Sequence, residues 1–248
     1  MSKEDYVKLY HDAQGPFYLI NHKKRVILLW NGKCGCTSLK KWWADNLNPN
    51  DINDSLNYDG DSSSFHRWEA VIPNHTKDKY TFDVHAIFGY NPWNKDVDKK
   101  YQDYTKIMVI RNPWKRLVSH YIGQIQSNIN YEYRVDHIYS PNLEGISFDE
   151  FIDLLLETPL DKLEMHYALQ TANLHEDTKI DYIINTENMS IEIPIISKSL
   201  GFAATDIEKW GYPTNYTKDW KLYYNNISKN KVAKLYNKDI EVFGFKFD

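Results

Sequence analysis

Residues 25–39 read "RVILLWNGKCGCTSL" and lead into "KKWW" at 40–43. After Arg25 the run is apolar throughout, as in a β-strand covered on both faces. From Thr37 to about Asn46 the pattern turns helical, with Leu39, Trp42, Trp43 and Leu47 apolar, and "NPND" stops it. A buried strand that passes through a glycine-bearing turn into a helix is a place where open α/β sheets bind anions, because the helix start offers free N–H groups and a partial positive charge. The order of parts is unusual. A nucleoside triphosphate loop needs G-x-x-x-x-G-K-[ST], whereas here Lys33 precedes the hydroxyls of Thr37 and Ser38 by four and five positions. Gly35 allows close backbone approach, and the N–H groups of about 35 to 38, two hydroxyls and one cation suit a single compact, phosphate-like group.

A second strand-to-helix junction follows some 75 residues on. "TKIMVI" (105–110) is the clearest buried strand, and "RNPWKRLVSHYIGQI" opens a helix in which Asn112 caps, Pro113 suits the first turn, and Leu117, Val118 and Tyr121 form an apolar face. Arg111 leaves the strand at its carboxyl edge and Ser119 lies two helical turns further. An arginine fork plus a hydroxyl suits a terminal, dianionic phosphate. Two anion sites on neighbouring strand ends point to a nucleotide with phosphates at both ends of its ribose.

Around these junctions, "FYLI" (17–20) and "RVILLW" flank the short turn "NHKK", as strands that pair or run consecutively; "YTFDVHAIF" (80–88) and "KIDYIIN" (179–185) read as further strands. Helices are expected at 147–157, where Ser147 and Glu150 form a capping box, at roughly 162–173, at 190–200 ending at Gly201, and from Ser228 to about Ile240. Residues 48–64, rich in Asn, Asp and Ser, read as a solvated connection. Strands alternating with helices imply an α/β, three-layer, P-loop-like fold with a central, mainly parallel sheet flanked by helices. No internal repeat or linker divides the chain, so residues 1–248 are read as one domain.

Bulk properties narrow the classes. Apolar residues make up 42% and charged residues 26%, which excludes extended disorder. A formal charge of −4 argues against a nucleic-acid partner that needs a broad positive face. The first residues have no signal-peptide core, and no segment reaches the ~18 apolar residues of a bilayer span, so a soluble, cytoplasmic chain is expected. The two cysteines, Cys34 and Cys36, are one residue apart. Such a pair closes only a strained ring and does not complete a tetrahedral metal site, so both are read as small loop-packing residues and no metal is expected.

"K-C-G-C-T-S" after a strand, followed by "R-N-P-W-K-R-L-V-S-H-Y", resembles the two cofactor motifs of the carbohydrate sulfotransferases, sulfotransferase family 2 type. The resemblance continues through "SFDEFIDLL", "IDYIINTENM" and the ending "LYYNNISKNKVAKLYNKDIEVFGF", which is similar to the family's "Y-x-x-D-x-x-x-F-G" close. It implies 3′-phosphoadenosine-5′-phosphosulfate (PAPS) as co-substrate and a hydroxyl-bearing acceptor, a carbohydrate or glycolipid first of all. It also implies that Lys33 contacts the 5′-phosphosulfate, that Gly35, Cys36, Thr37 and Ser38 cradle it, and that Arg111 and Ser119 hold the 3′-phosphate. The family's Golgi members carry a membrane anchor and disulfides. Neither is read in this sequence, which argues against a secreted-glycan substrate and favours a bacterial or viral-type cytosolic enzyme, with a lipid-linked sugar, small metabolite or peptide tyrosine as further candidates.

An acceptor hydroxyl must lose a proton, and imidazole titrates in the useful range. Of nine histidines, His85 is the first candidate base, since relatives that sulfate sugars have a catalytic histidine in a comparable region. His66, beside Arg67, and His166 are rivals, and Glu69 is a carboxylate option. Arg67, Trp68, Trp93, Trp114 and Tyr121 could supply a cation and stacking faces for a sugar, although Trp114 and Tyr121 equally suit helix packing. Two other readings remain open: a nucleotide-dependent kinase, which would need Mg²⁺ and a strand-end Asp, and a non-catalytic nucleotide- or glycan-binding module on the same fold.

Overall fold

The structure is a computed structural model and describes residues 14–46, 92–126, 145–203 and 219–248. The strand expected at 80–88 and the connection at 48–64 lie outside the described residues. Four strands, β1 (Phe17–Asn21), β2 (Val26–Trp30), β3 (Thr105–Ile110) and β4 (Tyr182–Asn185), form one sheet in the order β1-β2-β3-β4. β1 and β2 pair antiparallel across the "NHKK" turn, with Phe17 opposite Trp30 and Asn21 opposite Val26. β2, β3 and β4 run parallel, so the sheet is mainly parallel. Their carboxyl ends therefore share one edge.

Every residue of β1 and β2 is buried, and the two-residue period of the pleat sorts them onto opposite faces. Phe17, Leu19, Val26, Leu28, Trp30, Ile107, Val109 and Ile184 pack under α1 (Cys36–Asp45), through Leu39, Trp42 and Trp43, and under α5 (Met189–Leu200). Tyr18, Ile20, Ile27, Leu29, Met108 and Ile110 face Trp93 and Tyr101, which bracket α2 (Lys95–Lys100), with Phe243 and Phe245 packed alongside. Covering both faces makes continuous apolar runs profitable, since each fully buried Leu, Ile or Val contributes roughly 1.5–3 kcal/mol.

A third cluster joins α3 (Pro113–His120), α4 (Phe148–Glu157) and α6 (Asn226–Leu235) through Leu117, Val118, Phe151, Ile152 and Val232. The expected caps form. Asn112 accepts from the N–H groups of Trp114 and Lys115, and Ser147 and Glu150 make the capping box. Gly201 ends α5 at φ 63°.

Two expectations are corrected. Residues 162–173 are a series of turns after a short 3₁₀ segment at Leu160–Lys162. The carbonyls of Met165 and Ala168 bond Arg116, and the N–H groups of Gln170 and Thr171 bond Asp239, so distant side chains take the place of a helical ladder. The closing helix is two: α6 ends at Leu235, Tyr236 leaves helical geometry at φ −103° and ψ 26°, and α7 (Asn237–Phe243) follows. No helix among the described residues is long and apolar enough to cross a membrane.

Candidate active site at the carboxyl edge of the sheet

The first loop leaves β2 through Asn31, Gly32, Lys33, Cys34 and Gly35. Gly35 sits at φ 71°, and a Cβ there would lie 2.9 Å from Met189 Cε, so both conformation and space demand glycine. Lys33 itself is left-handed at φ 64°, a conformation uncommon outside glycine. The half-buried Lys33 side chain reaches the turn after α3, where its Nζ is 3.4 Å from the position of a Cβ on Gly123. Cys36, Thr37 and Ser38 form the first turn of α1, and that turn carries no acidic residue, so the helix dipole there favours an anion.

Cys34 is buried and donates to Gln170 Oε1 at 3.3 Å. Burial pushes its thiol up to about 12 against the opposing charges of Arg116 and Arg111, so it stays protonated at neutral pH. Cys36 packs against the Trp42 core. The packing role expected of both cysteines agrees with this.

The second loop begins at Arg111, whose main chain is locked by one side chain. Gln170 accepts from the Arg111 N–H at 2.8 Å and donates to the Arg111 carbonyl at 2.9 Å. The Arg111 guanidinium donates from Nη1 to the carbonyl of Lys33 at 2.9 Å, tying the two loops together. Its Nε stands 3.5 Å from Glu187 Oε1 and, among the described residues, makes no hydrogen bond although it is buried. Burial disfavours the guanidinium charge, and Glu187 opposes that effect. The carboxylate beside it is what compensates this buried cation. Ser119 lies buried near the end of α3, four residues before Gly123.

The residues that organise this edge are less visible in the sequence. Arg116 is only 2% exposed and donates to three carbonyls: Nε to Gly32 at 2.9 Å, Nη1 to Ala168 at 2.6 Å and Nη2 to Met165 at 3.0 Å. Asp239 accepts from the Gln170 N–H, the Thr171 N–H and the Thr171 hydroxyl at 2.8, 3.0 and 2.8 Å. Burial raises its carboxyl despite those bonds. Tyr236 donates to the carbonyl of Tyr167 at 2.7 Å. Tyr236 and Asp239 are the tyrosine and aspartate of the "Y-x-x-D-x-x-x-F-G" ending, three residues apart; the spacing was visible, their partners were not. They hold the turn segment that in turn holds Arg111.

Lys33, Gly35, Cys36, Thr37, Ser38 and Arg111 thus meet at one sheet edge, with Ser119 on the helix that leaves it. His85, His66, Glu69, Arg67 and Trp68 lie outside the described residues. The structure gives packing contacts to three aromatic residues that are also candidates for an acceptor surface, the alternative that the sequence holds open for Trp114 and Tyr121. Trp93 is fully buried against Tyr18. Trp114 donates from Nε1 to the Lys229 carbonyl and packs on Phe247, while Tyr121 donates to the Ile146 carbonyl and packs on Phe148. All three serve the core because their apolar rings are worth more there than on a wet surface. His166 is close to the first loop, and Glu164 holds its Nδ1 at 2.7 Å. Among the described residues no group of three or more His, Cys, Asp or Glu side chains comes together to hold a metal.

Comparison with known proteins agrees with this geometry. The model of the sulfotransferase family matches residues 17–246, a span that includes both loops and the Tyr236–Asp239 clasp. No curated protein and no solved structure matches the chain. Nearly the whole chain is covered by that match, and it belongs to the sulfotransferase family that its two loops resemble.

Proposed function

We propose that the protein transfers a sulfuryl group from PAPS to a hydroxyl, most simply on a carbohydrate or glycolipid acceptor. One observation carries the proposal. The buried guanidinium of Arg111, ion-paired with Glu187 through Nε, already donates to the Lys33 loop, so a nucleotide bearing phosphates at both ends of its ribose would engage both loops at once. The left-handed turn at Gly35, φ 71°, lets successive backbone N–H groups of the loop converge, which supports close approach of a phosphate to the backbone.

In this reading the amides and hydroxyls of the first turn of α1 hold the 5′-phosphosulfate, and Arg111 and Ser119 hold the 3′-phosphate. Sulfuryl transfer, like phosphoryl transfer, passes through a loose transition state, so alignment and charge neutralisation do most of the work. Lys33 offsets the negative charge that grows on the leaving 5′-phosphate oxygen, without a metal. His85 is the base first expected from the sequence, and His66 the second. The cation of this loop stands ahead of the turn instead of beside the hydroxyls, unlike the order of a nucleoside triphosphate loop.

Calorimetry with adenosine 3′,5′-bisphosphate and with ATP tests this. The bisphosphate is expected to bind the wild-type chain and to raise its melting temperature, with ATP much weaker. Lys33→Ala should lose transfer while keeping most of the binding, since its charge matters most when the leaving group forms. A chain that binds ATP with Mg²⁺ and ignores the bisphosphate would be a kinase instead.

A further inference from the structure

Resting on the sulfuryl-transfer reading, we propose that His166, oriented by Glu164, is the group that takes the proton from the acceptor hydroxyl. The imidazole lies against the first loop. A Cβ on Gly32 would come within 3.0 Å of both His166 Cα and the ring carbon Cδ2, so the ring packs on the residue immediately before Lys33. Arg116 fixes this contact by bonding the carbonyl of Gly32 on one side and that of Met165 on the other. The main chain bearing the imidazole and the main chain bearing the cation are thus clamped by one guanidinium. Such rigidity is what a proton acceptor needs, because its reach must be fixed to within about 0.5 Å.

Glu164 supplies the orientation. Its Oε1 is 2.7 Å from His166 Nδ1, and its Oε2 accepts the His166 main-chain N–H at 3.0 Å, so the carboxylate grips both ring and backbone. With Nδ1 as donor to Glu164, Nε2 is the basic atom of the neutral ring. Burial works against the ionised Glu164, but the His166 charge and hydrogen bonds outweigh it, and the carboxyl lies below its ordinary value. An ionised Glu164 therefore stabilises the imidazolium once it forms. The His166 side chain is 14% exposed, which leaves it at the surface of the site and not in the core.

The groups shown against its ring are Glu164 from its own segment and His120 from α3, with the Arg116 guanidinium on the adjoining Met165 carbonyl. The His120 ring stacks on His166 at 5.6 Å and 23° and is itself stacked on Phe151, which holds the imidazole plane. In the transfer step the acceptor oxygen forms its bond to sulfur and the sulfur–oxygen bond to the 5′-phosphate breaks. The electron pair stays on that phosphate oxygen beside Lys33. The hydroxyl proton goes to His166 Nε2, with no redox change.

The test uses the full chain and PAPS hydrolysis, with water standing in for the acceptor, measured across pH alongside binding of adenosine 3′,5′-bisphosphate. His166→Asn is expected to cut turnover about 100-fold or more, as loss of a general base does, to flatten the acidic limb of the pH profile and to leave bisphosphate binding unchanged. Added imidazole should restore part of the turnover of His166→Gly, and Glu164→Gln should move the acidic limb. Turnover of His166→Asn within about threefold of wild type overturns the assignment. So does a loss that keeps the acidic limb, that imidazole does not rescue, or that travels with lost binding. Failure of the wild-type chain to bind the bisphosphate overturns the sulfuryl-transfer reading itself and is separately visible.

Discussion

The two loops at the carboxyl edge are built by opposite means. The first owes its shape to the main chain: Lys33 and Gly35 both sit at positive φ, and Gly35 has no room for a Cβ. The second owes its shape to side chains that arrive from elsewhere, with Gln170 locking the Arg111 backbone and Asp239 locking Gln170. Each loop then leads into a helix with a buried cation, Lys40 in α1 and Arg116 in α3. Arg116 is satisfied by three carbonyls, whereas Lys40 lies over the face of Trp30, 3.8 Å from the ring centre. Within the second loop the same contrast recurs between two arginines. Arg116 uses its donors on main-chain carbonyls, while Arg111, five residues earlier, divides its contacts between the Lys33 carbonyl and the Glu187 carboxylate. Exposure does not separate them; what their donors touch does.

Truncating the two arginines should therefore give different phenotypes. Arg116→Ala leaves three buried carbonyls without their donor and is expected to cost about 3–5 kcal/mol in urea unfolding, the largest effect foreseen here. Arg116→Lys recovers little, since an ammonium cannot reproduce the fork. Arg111→Ala should cost less stability but weaken adenosine 3′,5′-bisphosphate by about 2–4 kcal/mol in calorimetry, the range for a buried charged contact to a phosphate. Equal melting curves together with equal affinities for the two alanine variants would erase the distinction between a structural and a ligand-facing arginine.

The sequence revealed the parts of this edge that depend on local chemistry. β2 and β3 announce themselves as continuous apolar runs, Asn112 and Pro113 as a helix start, and Gly35 as a position of close approach. It concealed what depends on partners far along the chain. Residues 162–173 carry helix-like apolar spacing at Leu163 and Tyr167, yet their polar main-chain groups go to Arg116, about 50 residues earlier, and Asp239, about 70 later. No local pattern encodes those bonds. For the same reason Gln170 and Glu164 carried no signal, and His166 was only one histidine among nine. Trp93, Trp114 and Tyr121 were ambiguous because an aromatic ring looks alike in a core and in a sugar groove until its neighbours are known.

Gly35→Ala probes the main-chain side of the comparison. The residue would have to hold φ near 71° and displace the Met189 thioether, and the combined cost is expected at about 1–3 kcal/mol in thermal or urea unfolding. Adding Met189→Ala separates the two contributions. If the loop is shaped by backbone conformation, the double variant recovers only the steric part, and bisphosphate affinity stays low. Full recovery of affinity would mean that packing against α5, and not the left-handed turn, sets the loop.

Lys40 offers the smallest and most conditional effect, because it buries a titratable charge over the ring face of Trp30. Burial lowers its pKa from 10.5 to about 7, so in the interval between those values the unfolded chain holds a proton that the folded chain has released. Stability must then rise with pH from about 7 to about 10, and below 7 the full burial cost applies. Lys40→Met keeps the volume and apolar stem, removes the charge, and should flatten this rise. At pH 7 it is expected to raise stability on the order of 1 kcal/mol, the loss of the ring contact partly offsetting the relief. Urea unfolding at pH 7 and pH 9.5 measures both effects. A wild-type chain whose stability is level across that interval, or a methionine variant that is weaker at both pH values, would show that Lys40 is as well supported in α1 as Arg116 is in α3.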